Sequence, residues 1–123
     1  MQPPGDADGL LERLYTLIGA RDAAFVADLL RDFLSELPET LRALTDAFAR
    51  QDWATLRNEA HRLRSGAHAL GGVGVAAASA PLEAAAQAGD APLAGVLLPA
   101  LLAEADVYMR TAAALLHTLD VDP

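Results

Sequence analysis

The chain has 123 residues, 53% of them apolar, a formal net charge of −8 and no cysteine. That is one domain with enough apolar material for a core. Its acidic balance, with nine basic residues that are all arginine, excludes the basic surface of a nucleic-acid binder and argues against docking to an anionic membrane.

The lack of cysteine removes disulfide frameworks, thiolate nucleophiles and cysteine-ligated metal sites together, and suits a reducing, cytoplasmic setting. Residues 1–7 read as a loose Pro- and Gly-rich tail with neither the basic start nor the apolar stretch of a signal peptide. Residues 8–119 read as one helical domain and 120–123 as a C-terminal tail. A first short helix spans Gly9 to Ile18, capped by Asp6 or Asp8 and ended by Gly19.

The stretch from Asp22 to Arg50 predicts a long helix. Phe25, Leu29, Phe33, Leu37, Leu41, Leu44 and Phe48 step by three or four residues along one face. Pro38 removes one backbone hydrogen bond inside it, and the stripe keeps its phase across the proline, which predicts one kinked helix rather than two. Asp52 caps a third helix from Trp53 to about Leu70, stopped by Gly71 and Gly72. A fourth covers about Val75 to Ala88 and ends at Gly89, with Pro81 inside it predicting an irregular start, and a last one runs from Pro92 or Leu93 to Leu119. No uninterrupted apolar run approaches the ~18–20 residues of a membrane span. The longest, 91–103, contains Pro92, Gly95 and Pro99. The pattern predicts an all-α fold: an antiparallel up-and-down four-helix bundle with an extra short N-terminal helix.

The third helix carries the chemistry. At about 100° per residue, with Leu56 set at zero, Ala60, Leu63, Ala67 and Leu70 stay within about 40° of it and form a core stripe. Arg64, Arg57, His68, His61 and Ser65 fall between about 80° and 180°, on the outer side. An imidazole in water is mostly neutral near pH 7 and offers a ring nitrogen as nucleophile or acceptor. A guanidinium at i+3 reaches a group attached to that nitrogen, and its fork suits phosphate oxygens. A small residue at i+4 leaves the ring open to a partner. A surface histidine so flanked meets the needs of phosphoryl transfer, although taken alone it is also an ordinary surface feature. His61 and His68 are seven residues apart, about 10.5 Å along a helix axis, too far for one metal ion with ~2 Å bonds. His117 reads as a helix-surface residue or a partner of the C-terminal helix dipole.

Ala60-His61-Arg62-Leu63-Arg64-Ser65-Gly66-Ala67, followed by Leu70-Gly71, resembles the phosphorylation segment of histidine-containing phosphotransfer (HPt) domains. The register extends downstream through Val75, Ser79, the Leu82-Glu83 pair and Gly89-Asp90. Upstream it extends to Asp52-Trp53 and to Phe33-Leu-Ser-Glu-Leu-Pro-Glu. The resemblance covers about residues 9–118. Arg64 stands where the family usually has Lys, and Ser65 where it usually has Gly, with Gly66 next to it.

The resemblance implies a monomeric helical bundle that relays a phosphoryl group between receiver domains of response regulators or hybrid histidine kinases. His61 would be the phosphoacceptor through Nε2, and Arg64 would steady phosphate charge. Ser65 and Gly66 would leave steric room, while Arg57, Arg62 and His68 would lie on the partner-binding surface, His68 as a surface residue beside the site. It implies no cofactor or metal site of the domain's own, since Mg²⁺ in such transfers belongs to the receiver. The sequence has no phosphate-binding glycine loop of an ATP site, so the chain reads as a carrier rather than a kinase. It would be cytoplasmic, alone or as the C-terminal domain of a membrane hybrid sensor kinase. Two other readings stand beside it: an HPt-like module that binds a partner without transfer, and a dimerisation bundle of the sensor-kinase type, which would need two chains to complete four helices.

Overall fold

Five helices make up the computed structural model, which describes residues 7–121. They are α1 (Ala7–Ile18), α2 (Ala23–Ala49), α3 (Trp53–Ala69), α4 (Val73–Ala88) and α5 (Ala91–Val121). Among the described residues there is no strand. The expected tails at 1–6 and 122–123, and the expected cap Asp6, lie outside the described residues. Ala7 already belongs to α1, and α5 continues through residue 121. The other expected α1 cap, Asp8, sits inside the first turn, where its charge favours the helix dipole.

Helix boundaries follow the local signals. Asp22 accepts from the Phe25 amide and Asp52 from the Thr55 amide, so both act as N-caps. Gly19, Gly71 and Gly89 adopt the left-handed backbone that lets three of the helices end in tight turns. Each proline inside a helix deletes one ladder bond without ending it: α2 runs unbroken through Pro38, α4 through Pro81 and α5 through Pro99. The irregular start that Pro81 predicts for α4 is therefore not seen, since α4 is helical from Val73.

The buried face of α2 differs from the stripe expected from side-chain size. Besides Ala27, its core positions are Val26, Leu30, Leu37, Thr40, Leu44 and Ala47, with Phe33 half-buried among them. These step by four and three residues in turn, the spacing of a two-helix seam. Phe25 is 48% exposed, and Leu29, Leu41 and Phe48 lie on the flank. Small or polar residues, Ala47 and Thr40, occupy seam positions because α2 packs between α3 and α5 and must let both approach. The Thr40 hydroxyl is satisfied by the Glu36 carbonyl at 3.3 Å.

The same spacing runs through α3 (Leu56, Ala60, Leu63, Ala67) and α5 (Ala94, Leu98, Leu101, Ala105, Tyr108, Ala112, Leu115), all buried. α2 and α4 each pack on both α3 and α5, and α1 packs on α5 and α2. Two donors hold the α3–α4 turn. The Tyr108 hydroxyl donates to the Leu70 carbonyl at 2.7 Å, and Arg13 Nε donates to the Gly71 carbonyl at 3.2 Å. Burial pushes the Tyr108 phenol pKa up, so it remains a donor at any ordinary pH.

α5 overturns one expectation. As an unbroken helix it is long and apolar enough to cross a membrane by length and composition, with a mean hydropathy of 1.4 over its most apolar window. Counting only uninterrupted apolar residues missed this, because Pro92 falls in the first turn and Pro99 is absorbed.

Candidate functional site

α3 and α4 form the most extensively packed helix pair of the fold. Both helices bury small residues, Ala60 and Ala67 on α3 and Ala76, Ser79, Ala85 and Ala86 on α4, beside larger ones such as Leu63 and Leu82. Small side chains bring the backbones close, so a long side chain on the rim of one helix reaches the rim of the other. Glu83 is the one charged residue of α4, and it reaches across to α3.

The carboxylate of Glu83 divides between two partners. Oε1 accepts from Arg64 Nε at 3.0 Å, with Arg64 Nη2 at 2.9 Å from the same oxygen. Oε2 lies 3.0 Å from His61 Nδ1. Arg64 Nη2 is also 3.2 Å from His61 Nδ1. A carboxylate only accepts and a guanidinium only donates, so Nδ1 satisfies one of them and not both. The shorter, charge-assisted contact decides: Nδ1 carries the proton and donates to Glu83, while Arg64 places its donors on Glu83. That tautomer leaves the lone pair on Nε2, which has no hydrogen-bond partner among the described residues. The His61 side chain is 57% exposed, against 34% for Arg64 and 21% for Glu83. The imidazole thus lies on an open surface, and the two groups bonded around its Nδ1 are set back from water.

The other expected site residues distribute as follows. Ser65 is exposed one turn beyond His61. Arg57 and Arg62 are exposed on the same helix, Arg57 bonded to Asn58 and Arg62 3.5 Å from Glu59. His68 is exposed and lines a groove between α1 and the α3–α4 turn, with Glu12, Arg13, Leu17 and Val73. Gly66 lies elsewhere: it is about 140° around the helix from His61 and half-buried, and an added Cβ there would meet the Phe33 ring at 2.9 Å. Its small size makes room for Phe33 of α2 rather than for a partner at His61.

Glu83 was legible only as half of a Leu-Glu pair. The signal that could have marked it was its isolation, as a lone carboxylate in an alanine-rich helix. What the sequence could not supply was the distance across the seam.

The family model for the Hpt domain matches residues 28–110, a span that holds His61, Arg64 and Glu83. No curated protein and no solved structure matches the chain. Hpt domains are phosphocarrier modules of two-component signalling that interact with receiver domains. With about two thirds of its length matched and an all-helical bundle around the histidine, the chain belongs to the Hpt domain family.

Proposed function

We propose that this Hpt domain is a phosphorelay intermediate, with His61 Nε2 as the phosphoacceptor. The observation that carries the reading is the Nδ1–Glu83 contact, which leaves Nε2 as the free ring nitrogen. The Nε2 lone pair attacks the phosphorus of an aspartyl-phosphate on a receiver domain. The bond from phosphorus to the aspartate oxygen breaks, and its electron pair stays on the aspartate carboxylate. The imidazole keeps its Nδ1 proton and gains positive character, which the Glu83 carboxylate stabilises. The reverse step hands the phosphoryl group to the aspartate of a second receiver. Mg²⁺ acts at the receiver's acidic site, and the domain needs no cofactor of its own.

Arg64 holds Glu83 in place before transfer and lies one turn from the ring, where its remaining donors meet phosphoryl oxygens. Ser65 leaves room for the receiver, and Arg57, Arg62 and His68 frame the docking face. The helix neighbours and short turns are best read as an antiparallel up-and-down four-helix bundle with α1 added to it. The reading implies a cytoplasmic domain, alone or at the C-terminus of a membrane hybrid kinase.

Transfer from a phosphorylated receiver domain with Mg²⁺ tests this, with wild type beside His61→Gln. Acid-labile, base-stable label on wild type and none on the variant is the expected result. Label retained in His61→Gln and lost in His68→Gln would refute the assignment. A second reading, a binding module without transfer, is favoured by one feature: Ser65 places a side chain beside His61 where the family usually has glycine. Receiver binding without labelling would select it.

A further inference from the structure

Residues 91–103 of α5 carry no polar or charged side chain. One side of this stretch is accounted for, because Ala94, Leu98 and Leu101 are buried in the core. The other side is not. Leu93, Val96 and Val107 are 45%, 69% and 57% exposed, and Ala100 and Ala103 are exposed between them. Positions 93, 96, 100, 103 and 107 step by three and four residues, the spacing of a second two-helix seam on the outer face. The solvent side of a surface helix normally carries its charge, and a contiguous apolar stripe marks a contact surface.

We infer that this face pairs two copies of the chain through an antiparallel α5–α5 contact about a two-fold axis. The stripe is self-complementary in that direction. With Ala100 opposite the partner's Ala103, Val96 meets the partner's Val107, and the two small residues at the centre let the helices approach closely. The same register brings the partner's Arg110 to Leu93, within one turn of Asp90. Arg110 pairs with Asp106 on its own helix, and its five-donor fork keeps donors for a second carboxylate. In a parallel pair Arg110, the next position of the stripe after Val107, would face its own copy, so like charge favours the antiparallel arrangement.

The seam from Leu93 to Val107 is about 21 Å long at 1.5 Å per residue. Two helices of that length bury less than the ~800 Å² per partner of a standard stable interface. The dimer is therefore reversible and separates on dilution into the micromolar range. α3 and α5 both pack on α2 and α4 and so lie on opposite sides of the fold. Back-to-back pairing through α5 leaves both His61 faces open. The resemblance implied a monomer, and the α5 face is what argues otherwise.

Sedimentation velocity from about 5 to about 500 µM tests the proposal across the range of a weak interface. The wild type is expected to pass from monomer to dimer, while Val96→Glu and Ala100→Glu stay monomeric with unchanged helicity and unchanged label at His61. A wild type monomeric throughout, or variants that still dimerise, would overturn the proposal. The chain has no cysteine, so register is read by oxidising an equal mixture of Ala100→Cys and Ala103→Cys proteins. Mixed disulfides should dominate, and a preponderance of homodisulfides would refute the antiparallel register. A monomer that instead sediments with phosphatidylcholine vesicles, and fails to do so as Val96→Glu, would assign the face to a bilayer and likewise overturn it.

Discussion

Glu83 Oε2 lies 3.0 Å from His61 Nδ1 across the α3–α4 seam, and the other oxygen of the same carboxylate holds Arg64. One carboxylate therefore sets the tautomer of the imidazole and the position of the nearest guanidinium. Glu83→Ala should slow phosphoryl transfer at least about tenfold while leaving the circular dichroism unchanged, because Glu83 sits on the rim of the core. Arg64→Ala should slow it as well. The double variant should lose less than the two single losses combined, since the residues act on the ring as a unit. Nitrogen chemical shifts of His61 give an independent check: the protonated Nδ1 tautomer should dominate in wild type and lose its excess in Glu83→Ala.

Gly66→Ala pits helix propensity against packing. Alanine in place of a mid-helix glycine is worth about 1 kcal/mol. The new Cβ would meet Phe33 Cε1 at 2.9 Å, and that ring is held edge-on against Tyr108 with centroids 5.7 Å apart. Overpacking of this kind costs about 1–3 kcal/mol, so the variant should be less stable than wild type in urea. Adding Phe33→Leu should recover stability. Labelling at His61 should be unaffected, since Gly66 faces α2, and a rate loss without a stability loss would contradict that placement.

Leu63 and Leu70 both belong to the core stripe expected for α3, but they are not equally buried. Leu63 is 3% exposed, whereas Leu70 is half-buried at the helix end. Leu63→Ala should destabilise by about 2–5 kcal/mol, and Leu70→Ala by clearly less. Equal urea midpoints for the two variants would mean that the turn after α3 is packed more tightly than its exposure indicates.

Asp52 gives α3 a pH-dependent start. Its pKa is held below the usual 3.8, first by the Thr55 hydroxyl and then by the Thr55 amide. A carboxyl depressed in the fold contributes its full stability above its unfolded pKa and loses it as pH falls through the lower folded value. The thermal midpoint of wild type minus that of Asp52→Asn should therefore be constant from about pH 7 to about pH 5. It should shrink below about pH 4. A difference that grows on acidification would rule out this role.

Much of the fold was legible because helix formation is local. Asp52 as a cap, Gly19 and Gly71 as stops, and the α3 stripe of Leu56, Ala60, Leu63 and Ala67 all agree with the structure. The α2 face was misjudged because it was ranked by side-chain size. A helix with neighbours on two sides buries Thr40 and Ala47 at its seam and leaves Phe25 outside, and that choice is made by the neighbours.

By itself, the sequence determined the helices, the outer strip of His61, Arg64 and Ser65 on α3, and the family register around them, since each depends on residues within a few turns of one another. Only the tertiary structure decided that Glu83, twenty-two positions from His61, is its partner, and that Gly66 serves Phe33 rather than the site. It also decided that α5 uses one apolar face and leaves another uncovered. These are contacts between helices. They depend on how closely two backbones approach and which way each is rotated, quantities that no periodicity along a single helix contains.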